Sequence, residues 1–313
     1  MQAGRAVAGL AQEIYVRKEN TGNMISGSAI IPHPDKANRI YDLEPKLGGE
    51  DSYFINDSKQ VVGIADGVGG WASRGVDPGI YSRELMNFAN IAVDQEKLVD
   101  PLQILIKAHS QTTSLGSSTA LVIHVDIDKN ELTAANIGDS GFKVIRNFGN
   151  LILSSKPQQF DFNFPYQLER HGSRSGNNPT EADIIKANVK TGDFIICGTD
   201  GVFDNLFDKD LIGISKSFQS QFVNIVNRRE GNSSDNDNIM KKLKEMLNKF
   251  AFEIAKAASR NGNDPRYISP FTVEGRKYGY NYVGGKLDDI SVIVTLYLGN
   301  GSNSTDVTNR SKL

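Results

Sequence analysis

Val61-Val62-Gly63-Ile64-Ala65-Asp66-Gly67-Val68-Gly69-Gly70-Trp71 decides how this 313-residue chain is read. Its first half, Val61–Asp66, is a short β-branched run that reads as a strand. A strand delivers its last side chain to a fixed place on a sheet edge, and here that side chain is Asp66. The glycine that follows lets the backbone turn sharply and approach a ligand.

Four more stretches repeat the arrangement of an aspartate in a glycine-rich turn, most of them beside an apolar run. They are Gly49-Glu50-Asp51-Ser52-Tyr53-Phe54, Asn136-Ile137-Gly138-Asp139-Ser140-Gly141, Ile196-Cys197-Gly198-Thr199-Asp200-Gly201-Val202-Phe203-Asp204-Asn205 and Gly284-Gly285-Lys286-Leu287-Asp288-Asp289-Ile290-Ser291. A single Asp-Gly is more often a turn than a ligand. Five such stretches are harder to assign to turns alone. Carboxylates converging without basic partners repel one another unless a divalent cation neutralises them. Oxygen-only ligation suits Mg²⁺ or Mn²⁺, whereas zinc favours histidine or cysteine.

Around these stretches, further short runs read as strands: Thr119–Asp126, Glu131–Ile137, Phe142–Arg146, Phe194–Thr199 and Ile290–Leu296. Asp-Lys-Asn between the first two signals a hairpin. Helical spacing appears over Tyr81–Val93, Leu102–Thr113 and Ile239–Ala258, the last with one stripe from Ile239 through Leu243, Met246, Leu247, Phe250 and Ile254 to Ala258. The helices fall in two groups rather than alternating with strands, which favours layered α+β over a doubly wound parallel sheet. One domain over residues 40–298 is expected, after an extension over 1–39 and before a polar tail over 299–313. Arg228–Asn238 reads as a polar loop.

Net charge of −2 and a pI near 6.1 leave no basic field for nucleic acid. No apolar run approaches the length of a membrane span. The one cysteine, Cys197, excludes an intramolecular disulfide, and Phe203 stands where a Cys-x5-Arg phosphatase needs arginine. The four histidines have no metal-site spacing and read as surface or structural residues. Residues 1–22 carry Arg5, Arg17 and Lys18 beside Glu13 and Glu19, a partial match to a mitochondrial presequence.

GEDSYF, ADGVGGW, LGSSTA, NIGDSGF, GTDGVFDN and GGKLDDISV, in that order over residues 40–298, resemble the metal-dependent Ser/Thr protein phosphatases of type 2C, the PPM family. DGVGGW, FPYQL (Phe164–Leu168), SPF (Ser269–Phe271) and GGKLDDISV look like its mitochondrial matrix branch, the one linked to coenzyme Q biosynthesis. The resemblance implies a four-layer α-β-β-α sandwich, two antiparallel sheets flanked by helices, with metals at one end. It implies that Asp66 bridges two Mn²⁺ or Mg²⁺ ions, that the Gly67 carbonyl binds one, and that Asp200 and Asp288 bind the other. Glu50 and Asp51 would hold water on the bridging ion, and Asp139 with Asp200 would complete a weaker third site. Asp289 would support Asp288. The implied reaction is attack by a metal-activated water on phosphoserine or phosphothreonine, without a covalent intermediate.

Two positions depart from the family pattern. Val68 stands where many members have a histidine that can protonate the leaving group. Lys46 stands where many have a phosphate-clamping arginine, and a lysine offers charge without a bidentate fork. The expected partners are phosphoprotein substrates, with the chain a monomer in the mitochondrial matrix, or otherwise in the cytoplasm. A partner-binding pseudophosphatase and a small-metabolite phosphatase stay open as alternatives.

Overall fold

The computed structural model describes residues 23–37, 49–170, 173, 175–227 and 234–299. Its strands, in chain order, are β1 (Met24–Ile31), β2 (Asp51–Asn56), β3 (Val61–Asp66), β4 (Ser117–Ser118), β5 (Ala120–Asp126), β6 (Glu131–Ile137) and β7 (Gly141–Arg146). There follow β8 (Asn150–Ser154), β9 (Gln159–Asp161), β10 (Phe164–Pro165), β11 (Leu168–Glu169), β12 (Asp183–Asn188), β13 (Asp193–Gly198) and β14 (Ile290–Tyr297). Ten of them form two five-stranded sheets, ordered β1-β14-β13-β7-β8 and β12-β6-β5-β3-β2, with every pairing antiparallel.

Period-two alternation explains why the sheets stack. On β3, Val62 and Ile64 enter the core between the sheets, while Val61 and Ala65 face the helices behind. Two helices cover that outer face, Pro78–Asp94 and Pro101–Gln111. Each starts with an aspartate cap followed by proline: Asp77 accepts from the Gly79 amide and Asp100 from that of Gln103, both at 2.9 Å. On the other side Ser234–Gly262 lays Leu243, Met246, Leu247, Phe250 and Ile254 against β1 and β14, the stripe expected from the sequence. The layers are therefore α-β-β-α, as the resemblance implies. No helix among the described residues is long and apolar enough to cross a membrane.

Two boundaries are corrected. The expected extension over residues 1–39 contains β1, which pairs with β14 along all eight positions and so lies inside the fold. Its sequence, MISGSAII, hides the strand because the site demands small residues. A Cβ on Gly27 would lie 2.3 Å from the Asn248 amide nitrogen, so the covering helix sits almost on the backbone. The expected loop 228–238 ends sooner, since the long helix already begins at Ser234. Residues 1–22, with any targeting segment, and 300–313 of the polar tail lie outside the described residues.

Cys197 sits on β13 between the two sheets, 1% exposed, and burial pushes its thiol pKa up. It is an inert core residue.

Candidate metal centre

Both sheets send carboxylates to the same end of the sandwich. Asp66 closes β3 and lies opposite Asp51, which opens β2. Asp139 stands in the crossing from β6 to β7, while Asp200 lies two residues after β13 and Asp288 two before β14. Three of the five thus come from strands of one sheet or its exit, and two from the other sheet.

Short polar side chains fix these positions. The Asp66 amide donates to Thr119 Oγ1 at 3.2 Å and its carbonyl accepts from the Thr119 amide at 2.9 Å. Thr119 Oγ1 also meets Ser140 Oγ at 2.8 Å, tying the Asp139 turn to the Asp66 strand. LGSSTA therefore backs the site and supplies no nucleophile. Thr199 Oγ1 donates to Asp51 Oδ2 at 2.9 Å and accepts from the Ser291 amide at 3.1 Å, a bond across the two sheets. Trp71 is held from behind: its indole N–H donates to Ser117 Oγ at 2.7 Å.

Gly49 and Gly67 allow the backbones to meet. Gly49 has φ +70°, and a Cβ there would lie 2.2 Å from Asp289 Oδ1. A Cβ on Gly67 would lie 2.7 Å from the Glu50 carbonyl, which accepts the Gly67 amide at 3.0 Å.

Asp289 has a further part beside the expected support of Asp288. Its carboxylate accepts the Glu50 amide at 2.9 Å and the His33 amide at 2.7 Å, so it anchors the two approaching segments. Its backbone N–H serves Asp288, donating to Oδ1 at 2.9 Å. Lys46 lies outside the described residues.

Burial dominates the electrostatics. It pushes Asp66 and Asp51 well above the usual carboxylate range, and neighbouring aspartates push them further. Burial with the Asp200 charge raises Asp139 to about 7. Burial also raises Asp204, to about 6, although Lys286 opposes the change. Asp200 alone moves down: burial pushes it up, but the Lys286 ammonium outweighs burial.

Lys286 was not legible as a site residue. Its ammonium donates to Asp200 Oδ2, reaches Asp204 Oδ2 at 2.8 Å and stands 3.3 Å from Asp288 Oδ2. Asp204, inside GTDGVFDN, likewise carries no local sign of its part in the site. His33 lines the cleft although it belongs to no motif, and its Nδ1 accepts the Asp35 amide at 3.1 Å. In the neutral ring that bond leaves the proton on Nε2.

The cleft has a volume of about 460 Å³ and is walled by Glu50, Asp66, Asp139, Asp200, Asp288 and Lys286, with Val68 among the lining residues. Among the described residues, no three acidic or histidine side chains close tightly around one point. The residues nevertheless fit divalent cations. Asp51 Oδ1 and Asp200 Oδ1 are buried without a hydrogen-bond partner, and the donors in the cluster are oxygens.

No protein-family model matches the chain. It is 40% identical over 275 residues to "Probable protein phosphatase 2C 80" of Arabidopsis thaliana, covering 87% of this chain and 58% of the relative. It is 34% identical over 281 residues to "Probable protein phosphatase 2C 1" of rice, Oryza sativa subsp. japonica, covering 86% of this chain and 73% of the relative. The solved structure of the photosystem II phosphatase PBCP superposes with a TM-score of 0.69 at 32% identity, over 87% of this chain and 98% of that one. The chain spans little more than half the length of the Arabidopsis relative.

Proposed function

Because the chain belongs to the protein phosphatase 2C family, we propose that it removes phosphate from phosphoserine and phosphothreonine in proteins, with Mn²⁺ or Mg²⁺ as cofactor. One observation carries this reading: four aspartates from both sheets, Asp66, Asp139, Asp200 and Asp288, line one cleft with Glu50, and Asp200 Oδ1 there and Asp51 Oδ1 behind it are buried without a hydrogen-bond partner. Asp66 and the Gly67 carbonyl would hold one ion, Asp66 with Asp200 and Asp288 a second, and Glu50 and Asp51 would act through water. Bound there, the ions would supply charge against the phosphoryl oxygens and activate the attacking water.

The chain's own residues do the rest. Thr119 and Asp289 fix the backbones that aim Asp66 and Glu50. Val68 carries no proton for the leaving alcohol, and His33 lines the same cleft with its Nε2 as the proton-bearing nitrogen. We assign leaving-group protonation to Nε2 of His33 in its imidazolium form, whose Nδ1 proton displaces the Asp35 amide, since a neutral ring would have to leave as imidazolate.

A protein substrate is favoured over a small metabolite by the cleft's rim. Phe162 gathers Phe271, Tyr278, Tyr280 and Tyr282 within 4.8–5.8 Å between ring centres, and the three tyrosines are 44–54% exposed. Asn163, next to Phe162, lines the cleft, and Lys286 joins the two regions, lying 5.2 Å from the Phe271 ring. A polypeptide extending beyond the phospho-residue can cover several such rings at once, a span larger than one sugar ring. The motif variants DGVGGW and GGKLDDISV support the mitochondrial matrix branch, and a monomer suffices for the reaction. Imaging a tagged chain tests the address.

Para-nitrophenyl phosphate and a phosphothreonine peptide, each with Mn²⁺, Mg²⁺ or EDTA, test the activity. Release that requires metal supports the proposal. A folded protein inactive with both metals would make partner binding the better reading.

A further inference from the structure

We infer that Lys286 is a built-in cation standing where the acidic cluster would otherwise hold a third divalent ion, so that the chain binds two ions and not three. The inference rests on the metal reading above and concerns only the side of the cleft formed by Asp139, Asp200 and Asp204.

The oxygens there are already committed. Asp200 is divided: Oδ2 accepts from Lys286, whereas Oδ1 is buried without a partner and stays available to an ion shared with Asp66. Asp139 Oδ2 accepts from Gln159 Nε2 at 3.0 Å. Asp204 Oδ2 accepts from Lys286 at 2.8 Å. An ammonium has three N–H donors: Lys286 turns to Asp200 and Asp204 on this side, and at 3.3 Å to Asp288 Oδ2 of the second ion's set. Each carboxylate that a third ion would need thus has an oxygen occupied by a nitrogen donor.

Lys286 is also fastened, unlike a surface lysine. Its amide donates to Asn205 Oδ1 at 2.9 Å and its carbonyl accepts from Asn205 Nδ2 at 2.8 Å. Asn205 is itself fully buried, and Asn261 donates to its carbonyl at 3.0 Å. A Cβ on Gly262 would lie 2.9 Å from the Lys286 carbonyl, so the end of the long helix presses on the same peptide. The Phe271 ring flanks the ammonium at 5.2 Å. A tethered cation loses no translational freedom on occupying the position, and a divalent ion entering beside it meets like charge. Lysine at this position of GGKLDDISV therefore trades an exchangeable ion for a permanent one.

Native mass spectrometry and calorimetric Mn²⁺ titration of the full chain at pH 7 test this. Wild-type protein should take up two Mn²⁺ and no third up to millimolar concentration. Lys286→Met, which keeps the stem and removes the charge, should gain a third ion at least tenfold tighter than any third binding by wild type. Lys286→Arg should stay at two, and Lys286→Met with Asp139→Asn should return to two. Three ions on wild type would overturn the inference without reference to any variant. So would two ions on a Lys286→Met protein whose circular dichroism matches wild type. No ion on folded wild type would remove the metal reading itself, and this inference with it.

Discussion

Asp51 and Asp66 face each other across the β2–β3 pair, the first residue of one strand against the last of the next. Residues so placed have their Cβ atoms about 4.5–5.5 Å apart, and like charges there are destabilising. Asp51 is buried and Asp66 half-buried among further carboxylates, and both have pKa values pushed well up by loss of water and by those neighbours. The pair is therefore costly to the metal-free fold.

Asp66→Asn should separate that cost from metal binding. Metal-dependent hydrolysis of para-nitrophenyl phosphate should fall by at least about a thousandfold, since the shared ligand is lost. The metal-free variant should melt a few degrees higher than metal-free wild type, because one repelling charge is gone. Full activity in this variant would sink the metal assignment.

The same charges set a pH dependence. A carboxyl whose pKa rises on folding holds its proton more tightly in the folded chain, so ionising it costs stability. Asp139 moves to about 7 and Asp204 to about 6, and Asp51 and Asp66 move in the same direction; Asp200, held down beside Lys286, moves oppositely. Glu84 and Asp126, away from the cleft, are also lowered, but the four groups raised by burial at the site outnumber these three. EDTA-treated protein should therefore lose stability as pH rises from about 4 toward about 7, and Mn²⁺ should raise its melting temperature more at pH 7.5 than at pH 5. A metal-free melting temperature that climbs over this interval would contradict the electrostatics.

His33→Gln should distinguish two substrates by their leaving groups. An alkoxide leaving from threonine needs a proton in the transition state, whereas para-nitrophenolate hardly does. The variant should lose roughly 10²-fold in kcat on a phosphothreonine peptide and change little on the aryl ester. Equal losses on both would mean that His33 only positions its neighbours.

Tyr280→Ala combined with Tyr282→Ala strips the exposed rings from the rim. KM for phosphopeptides should rise about tenfold, a loss of roughly 1.4 kcal/mol, with para-nitrophenyl phosphate kinetics unchanged. If both substrates respond alike, the rim supports the fold and not the substrate.

Far from the cleft, Arg146 grips Asp193 through Nε and Nη2, each bond 2.7 Å, and the Asp193 side chain is fully buried. Arg146→Leu strands that carboxylate and should cost about 3 kcal/mol in urea unfolding. Activity per folded molecule should be unchanged.

Much of this was legible because strand ends are. Asp66, Asp200 and Asp288 each lie at or next to a strand in the sequence pattern, and the structure puts each at a sheet end. Where side chains serve proximity instead of pattern, the sequence is silent. Ser26, Gly27 and Ser28 of β1 make an unremarkable string until Asp57, Thr295 and the long helix are seen against them. Lys286 reads as one more loop lysine, because nothing local reveals that Asn205, 81 residues earlier, holds its peptide. The amide bond from His33 to Asp289 spans 256 residues of sequence, and nothing local in the sequence shows that link.

The sulfur of Cys197, sealed between two sheets, has a bearing on cell physiology. Phosphatases that work through a thiolate fall silent in a burst of peroxide, because their nucleophile is what the oxidant consumes. Here the one thiol of this chain is entombed and the proposed chemistry passes through aspartate oxygens, so such a burst finds no catalytic thiolate to consume. Signals written by kinases could still be erased by this protein while its thiol-dependent counterparts are shut down.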